Sequence, residues 1–323
     1  MGAQEHILVV VDPTSEVQPA VERAVWLGQK LGARLELFAC DYDQFVLSEQ
    51  SYDSVALSKA KQRLLDGNIE RLRALAEPVR ARGITVSVDA RWHDPLDQGI
   101  VRKVRDAKPS LVVKDTRYQP PLKRSIFSNT DWNLIRDCPV PLLLVKQRPI
   151  TGRPCILAAV DPFHSCDKSA ESDHRILSVA TDTSAAVEGD LHVFHAFDPA
   201  PAIAAAVDTI ATPLAAPVST LTEALKLRHR RALDALLNEF SLSNTDKLHL
   251  HQGVPQELLV ALAEQLKADM VIMGAASRSA TKPNFVGSTA ERVLDKLPCD
   301  VLVVKNETTV DFVAEDREAR LQI

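Results

Sequence analysis

Short apolar runs alternate with longer amphipathic stretches along the whole chain. In the first half the pattern predicts strands at 7–11, 35–39, 84–88, 111–113 and 142–145, and helices at 18–31, 54–82, 96–107 and 130–137. In the second half it predicts strands at 156–160, 191–197, 248–250, 270–273 and 301–304, and helices at 172–187, 220–240, 256–267 and 290–297. Strands that alternate with helices predict an α/β fold with doubly wound parallel sheets, because parallel strands need a crossover connection.

The two halves are copies of one unit. The run from Ile7 to Pro13 returns as Ile156 to Pro162, and the run from Cys138 to Lys146 returns as Leu297 to Lys305. Between them, Trp92–Pro95 aligns with Gln252–Pro255, and Leu111–Lys114 with Val271–Gly274. Each copy has the size of one ordinary domain. We therefore predict domains at 1–150 and 151–307, followed by a charged tail at 308–323.

Composition removes several classes of function. A net charge of −5 and a pI near 6.0 give no reason to expect nucleic acid as a partner. No basic segment precedes an apolar signal core, and no apolar run is long enough to span a bilayer. A cytoplasmic protein without a membrane span is therefore expected. The 5 cysteines are scattered and form no C-x-x-C motif, so neither a redox motif nor a zinc knuckle is predicted.

Candidate chemistry concentrates between Met270 and Lys305. A buried strand ends at Gly274, a loop follows, and Gly287 leads into a helix. Glycine allows the backbone to approach a ligand closely, and Ser288 and Thr289 stand at the helix N-terminus, where free N–H groups favour an anion. The alternative is that Gly274 simply ends a strand and Ser288 simply caps a helix.

The spacing of Gly274, Ser277 and Gly287-Ser288 resembles the G-x-x-G-x(9)-G-[ST] loop of the universal stress protein family, with Ser277 in place of the second glycine. The resemblance extends over nearly the whole chain and is to the tandem two-domain type. It implies two Rossmann-like domains of the adenine nucleotide alpha hydrolase type and an ATP site, with Mg²⁺ if ATP is bound. The residues it implies for that site are Asp161, Gly253, Met273, Gly274, Ser277, Gly287, Ser288 and Thr289.

The same resemblance implies an arrangement of the two copies. Single-domain members of the family dimerise through the last strand, so 142–145 and 301–304 are expected to pair antiparallel as a pseudo-dimer within one chain. A homodimer of whole chains is a further possibility. In the first copy no glycine lies between Lys114 and Asn129, so no nucleotide site of the family type is expected there.

Two aspartates each follow the first strand of their copy. Asp12 and Asp161 lie at the carboxyl edge, where ligands bind in such folds, and in the family an aspartate at this point contacts the adenosine. Each is followed by a proline, Pro13 or Pro162, which stiffens the turn. The alternative is that both aspartates cap the next turn.

Other candidates are weaker. His249 and His251 alternate along one strand and so share a face, but without a further ligand they do not predict a metal site. No catalytic motif stands out, so at most slow ATP hydrolysis is expected. The segment 198–217 is predicted to be an apolar loop that covers its own domain. The rival interpretation is a cavity for an apolar molecule, lined by Ile203, Val207, Ile210 and Leu214.

Two functions follow from these observations. The first is a nonenzymatic stress-response protein that binds one adenine nucleotide in the C-terminal domain. The second is a nucleotide-free binding module, whose ligand is an apolar small molecule or an unknown protein partner.

Overall fold

The computed structural model describes residues 5–41, 54–116, 128–163, 170–209, 217–242, 246–274 and 293–305. The chain divides into two compact units, and the division falls between Pro149 and Ile150. The predicted tail at 308–323 lies outside the described residues.

The N-terminal unit contains five parallel strands in the order β3-β2-β1-β4-β5. The strands are β1 His6–Val10, β2 Arg34–Asp41, β3 Val86–Trp92, β4 Leu111–Asp115 and β5 Leu142–Val145. The helices are α1 Pro19–Leu31, α2 Ser54–Arg80, α3 Leu96–Ala107 and α4 Asn129–Asp137. Strand β1 lies at the centre and is buried along its whole length, as expected of a strand in a sheet covered on both faces.

The C-terminal unit has the order β10-β9-β6-β7-β8. Read from β8 to β10, this is the strand order of the N-terminal unit, with β6 in the central position of β1. Its strands are β6 Cys155–Ala159, β7 Asp190–Phe197, β8 Leu248–Gln252, β9 Met270–Gly274 and β10 Asp300–Val304. Its helices are α5 Ala170–Val187, α6 Ala200–Thr209, α7 Val218–Glu239 and α8 Pro255–Gln265. The doubly wound α/β fold predicted from the sequence is confirmed for both units.

The strand register corrects the predicted alignment of the two copies. Val10 pairs with Lys114 in the N-terminal unit, and its repeat partner Ala159 pairs with Met273. Lys114 therefore corresponds to Met273, and Asp115 corresponds to Gly274. The prediction, which aligned Lys114 with Gly274, was wrong by one residue. An apolar run matches its partner about equally well after a slip of one residue, so only the pairing with β1 or β6 fixes the register.

A second correction concerns the segment predicted to be a loop at 198–217. Residues Ala200–Thr209 form α6. Pro199 and Pro201 suggested a loop, but proline is tolerated in the first turn of a helix, where the N–H has no partner within the helix. Asp198 accepts a hydrogen bond from the N–H of Ala200 at 2.9 Å, and this contact caps the new helix.

Helix ends follow familiar local chemistry. Pro19 begins α1, and Gly32 ends it with φ 65° and an N–H that donates to the carbonyl of Gly28. The left-handed conformation at Gly32 is one that glycine adopts without steric cost. In the described part of the chain, no helix is both long and apolar enough to cross a membrane.

The N-terminal unit also buries a charged group. Lys103 of α3 is 6 % exposed and contacts Glu36 at 2.6 Å and Asp89 at 2.8 Å. His6 lies 3.2 Å from the other oxygen of Glu36, and burial is the main cause that lowers the pKa of His6. Buried charges persist when they are paired in this way.

Two helical glycines provide a matched test of how closely α3 packs on β2. A Cβ at Gly99 in α3 would lie 2.6 Å from Sγ of Cys40 and 2.6 Å from Cβ of His93, whereas a Cβ at Gly67 in α2 would meet nothing within 4 Å. We expect Gly67→Ala to raise the free energy of unfolding by about 0.5–1 kcal/mol. We expect Gly99→Ala to lower it by about 1–3 kcal/mol, because the new methyl group overpacks the contact between α3 and β2.

Urea unfolding followed by tryptophan fluorescence measures both changes, because Trp26, Trp92 and Trp132 all lie in the N-terminal unit. Equal effects of the two substitutions would contradict the close approach at Gly99.

Candidate functional site

The candidate site lies where the strand order of the C-terminal unit reverses. Strand β6 stands between β9 and β7, so the chain leaves the ends of β6 and β9 in opposite directions. Ligands of open α/β sheets bind in the crevice outside the carboxyl ends of strands at such a point. Ala159 pairs with Met273, so Asp161, just beyond β6, and Gly274, the last residue of β9, stand at neighbouring strand ends.

Asp161 is held in a defined turn. Its N–H donates to Oδ1 of Asp173 at 3.1 Å, and its own Oδ1 accepts from the N–H of Phe163 at 3.3 Å. In the N-terminal unit, Oδ1 of Asp12 accepts from the N–H of Thr14 at 3.0 Å. Both aspartates therefore cap the turn that follows, which was one of the two alternatives. A contact between Asp161 and a ligand stays a prediction.

The remaining predicted residues are placed as follows. Gly253 ends the extended run of β8 with φ 137°, and its N–H donates to the carbonyl of Phe197 at 2.9 Å. It lies at the same edge as Asp161, but β7 separates the two strands. Ile203 is half-buried in α6, which also contains Val207. The six other predicted site residues lie outside the described residues: Ser277, Gly287, Ser288, Thr289, Ile210 and Leu214.

Two histidines lie close together at this edge of the sheet, on the β7 side of β6. His195 of β7 is 2 % exposed, and its Nδ1 lies 3.1 Å from the carbonyl oxygen of Val160. Its Nε2 lies 2.8 Å from Nδ1 of His229 in α7. We refer to His195 and His229 as the histidine pair.

Aromatic rings enclose the outer member of the histidine pair. The ring of His229 stacks on Phe197 with 4.6 Å between centroids and 16° between planes, and the ring of Phe163 lies 4.2 Å away. Burial lowers the pKa of His229 to about 4, with a further contribution from His195. Burial also lowers the pKa of His195, against the opposing effect of Asp161. Both imidazoles are therefore neutral at pH 7.

The sequence interpretation missed the histidine pair. The nearest histidine in the sequence, His192, is three residues before His195, so its side chain points to the opposite face of β7. The available signal was the position of His229, which is four residues after Leu225 and four before Leu233, and so lies in the apolar stripe of α7.

Comparison with known proteins decides the family. The profile of the universal stress protein family matches residues 4–146 and 156–305. The chain belongs to the universal stress protein family. It is 30% identical over 332 residues to universal stress protein E of Salmonella typhi, covering 98% of this chain and 100% of that one. It is 30% identical over 318 residues to universal stress protein E of Escherichia coli K12, covering 94% and 95%.

Solved structures agree with this assignment. A functionally unknown protein of Pseudomonas aeruginosa PAO1 superposes with a TM-score of 0.75 at 27% identity, covering 98% of each chain. A putative universal stress protein of Pseudomonas aeruginosa UCBPP-PA14 gives a TM-score of 0.73 at 27% identity, covering 97% of each chain. The predicted resemblance to the tandem type of universal stress protein is thus confirmed.

The first universal stress domain differs at the same edge. Lys114, at the position of Met273, lies 2.8 Å from Oδ1 of Asp131, a residue of α4 that is fully buried. Oδ2 of Asp131 accepts from the N–H of Ser128 at 2.8 Å, and the N–H of Asp131 donates to Oγ of Ser128 at 3.2 Å. A carboxylate of the chain itself thus occupies the N-terminus of α4, where an anion is favoured.

A second histidine group occupies the opposite face of β7 and β8. Nδ1 of His192 lies 2.9 Å from Nε2 of His249, and the ring of His251 follows with 6.2 Å between its centroid and that of His249. Burial lowers the pKa of both His192 and His249. Within the described ranges no three His, Cys, Asp or Glu side chains are arranged to hold a metal ion.

The neutral histidines predict acid destabilisation. Four histidines have a lower pKa in the folded protein than in the unfolded chain, so the unfolded chain binds protons first as the pH falls. They are His192, His195, His229 and His249. The stability that these groups contribute is present above about pH 6.5 and is lost as the pH falls toward the folded pKa values. We expect the urea midpoint, measured by circular dichroism, to fall between pH 7.5 and pH 5.

The double variant His195→Phe/His229→Phe is the control, because it removes two of the groups and keeps aromatic rings in the stack. Its urea midpoint should fall less than that of the wild type over the same pH interval. An equal fall would show that the histidine pair is not the source.

The ion pair of Lys114 and Asp131 gives a second test. We expect Asp131→Asn to lower the free energy of unfolding by about 3–5 kcal/mol, because Lys114, with a side chain that is 12% exposed, loses its counter-ion. Adding Lys114→Met should recover much of the loss, since the buried charge is then removed. Tryptophan fluorescence of urea unfolding measures both, and a double variant less stable than Asp131→Asn would contradict the pairing.

Proposed function

We propose that this protein acts in the stress response, in the cytoplasm, and that its C-terminal unit binds one adenine nucleotide, ATP with Mg²⁺. The observation that carries the proposal is the position of Asp161 and Gly274 at neighbouring strand ends, where the strand order reverses. In this proposal the protein is a nucleotide-binding regulator, with at most slow hydrolysis.

The space at the end of β9 supports a phosphate chain in the C-terminal unit rather than in the N-terminal unit. Gly274 has no side chain, whereas its counterpart Asp115 carries a half-buried carboxyl group whose pKa is raised, mainly by burial. An anionic ligand would meet Asp115 and the ion pair of Lys114 and Asp131 in the first copy. It would meet neither in the second.

The expected magnesium ion needs few ligands from the protein. Mg²⁺ usually keeps several waters and takes oxygens from the phosphates, with one or two protein ligands. The hydroxyl groups of Ser288 and Thr289 and the carboxylate of Asp161 are the oxygen ligands that the sequence offers. When bound, the ion would neutralise part of the phosphate charge.

One observation favours the runner-up, a nucleotide-free module that holds an apolar molecule or a protein partner. Helix α6 has a single charged residue, Asp208, and the side chains of Ala202, Ala204 and Ala205 on it are exposed. An exposed surface of small apolar residues suits contact with another molecule. Uptake of a fluorescent fatty acid by the protein would support this function.

Calorimetric titration with ATP in the presence of magnesium tests the main proposal. We expect saturable binding of about one nucleotide per chain in the wild type, and loss of binding in Gly287→Leu, because a bulky side chain would block close approach of the backbone to the phosphates. Asp161→Ala should weaken binding by about tenfold or more, since it removes a hydrogen-bonding carboxylate.

Asp12→Ala is the matched control for Asp161→Ala. Each substitution removes the same turn-capping hydrogen bond, but Asp12 lies in the copy that we expect not to bind nucleotide. ATP affinity unchanged in Asp12→Ala and reduced in Asp161→Ala supports the C-terminal site. No binding by the wild type, or equal loss in both variants, would overturn it.

A further inference from the structure

The hydrogen-bond direction in the histidine pair is set at its buried end. A backbone carbonyl oxygen can only accept, so the contact of 3.1 Å between Val160 and Nδ1 of His195 requires a proton on Nδ1. A neutral imidazole carries one N–H, so Nε2 of His195 has the lone pair. Burial keeps this ring neutral by lowering its pKa.

The same logic passes to the outer ring. Nε2 of His195 accepts, so Nδ1 of His229, 2.8 Å away, must donate to it. His229 is also neutral at pH 7, because burial lowers its pKa to about 4. Its remaining nitrogen, Nε2, therefore presents a lone pair. The anchoring carbonyl of Val160 thus fixes the tautomers of both rings.

The ring of His229 is held as firmly as its tautomer. Phe197 stacks on it at 4.6 Å and Phe163 packs at 4.2 Å, so rotation of the ring would break the stack as well as the hydrogen bond. His229 is half-buried, and its Nε2 has no hydrogen-bonding partner among the residues that the structure describes. Among the described residues, Nε2 of His229 is therefore a neutral acceptor of fixed orientation.

The histidine pair is anchored next to the proposed nucleotide site. Val160, which anchors the histidine pair, directly precedes Asp161, and Asp161 acts electrostatically on both rings. The N–H of Val160 also donates to the carbonyl of Phe194 at 3.0 Å, which ties the end of β6 to β7. The histidine pair thus forms the β7 side of the edge that begins at Asp161.

The described part of the N-terminal unit has no histidine at the position of His195. The N–H of Val11 donates to the carbonyl of Phe38 as that of Val160 does to Phe194, so Ala39 corresponds to His195 and Asp41 to Phe197. There Nδ2 of Asn68 in α2 donates to Asp41 at 2.9 Å. The histidine pair and its stack therefore distinguish the C-terminal unit.

We infer that Nε2 of His229 determines base specificity, by selecting a nucleotide whose base presents an amino group to it and disfavouring one that presents a carbonyl. Adenine carries an amino group at position 6, and hypoxanthine carries a carbonyl there. Two acceptors that face each other leave both without a hydrogen bond, which costs affinity. This inference rests on the proposed function, because it names the group of the nucleotide that the same site recognises.

The experiment compares ATP with inosine triphosphate by calorimetry at pH 7.5, with magnesium, on the full chain. We expect the wild type to bind ATP at least about tenfold more tightly than inosine triphosphate. His229→Phe keeps an aromatic ring in the stack but removes the acceptor, so the ratio of the two dissociation constants should approach one. His174→Phe is the matched control, because His174 contacts Glu239 away from the stack and should leave the ratio unchanged.

His195 is a positioning residue, and its test separates that role from a structural one. In His195→Leu the outer ring can adopt either tautomer, so Nε2 of His229 can donate as well as accept. ATP should still bind, while the ratio of the dissociation constants of inosine triphosphate and ATP should fall toward one. Nitrogen-15 spectra of the wild type should show both rings protonated at Nδ1 and not at Nε2.

The outcomes separate the two claims. If neither ATP nor inosine triphosphate binds, the proposed function is overturned and this inference with it. Equal affinity for the two nucleotides, or an unchanged preference in His229→Phe, overturns the inference while the nucleotide site stands. A spectrum with the proton of His229 on Nε2 overturns it whatever the affinities are.

Discussion

Each unit depends on one parallel strand pairing at its centre, which joins β1 to β4 in the first unit and β6 to β9 in the second. Val10 pairs with Lys114 in the first unit, and Ala159 pairs with Met273 in the second. A parallel register of this kind fixes which residues leave the sheet at the carboxyl edge and which side chains face each helix layer. The site, the corrected alignment of the copies and the contrast between them all follow from it.

The two copies satisfy that edge with different chemistry. The first fills it with charge, through Lys114 and Asp131, and with an amide and a carboxylate, through Asn68 and Asp41. The second uses neutral imidazoles and aromatic rings. Neutral groups lower the cost of burying polar atoms, because no uncompensated charge enters the apolar region. Duplication thus preserved the sheet while the residues at its edge diverged.

Much of the fold could be predicted from the sequence because it is carried by local patterns. Apolar runs located the strands, and internal repetition supplied the order of elements a second time. The prediction failed where contacts that are distant in the chain decide. The alignment error at Lys114 could be corrected only from the pairing of β4 with β1. Helix α6 was missed for a local reason, because Pro199 and Pro201 suggested a loop although Asp198 accepts a hydrogen bond from Ala200 two residues later. His195 and His229 are 34 residues apart, so no local pattern brings their rings together.

The carboxylate of Asp131 has a consequence for how the first unit depends on its surroundings. An anion that arrives from solution leaves when its concentration falls, and a protein that needs it then loses stability. A carboxylate tethered to the same backbone has an effective concentration that dilution cannot change. The N-terminus of α4 is therefore neutralised in every molecule, whatever the anion content of its surroundings.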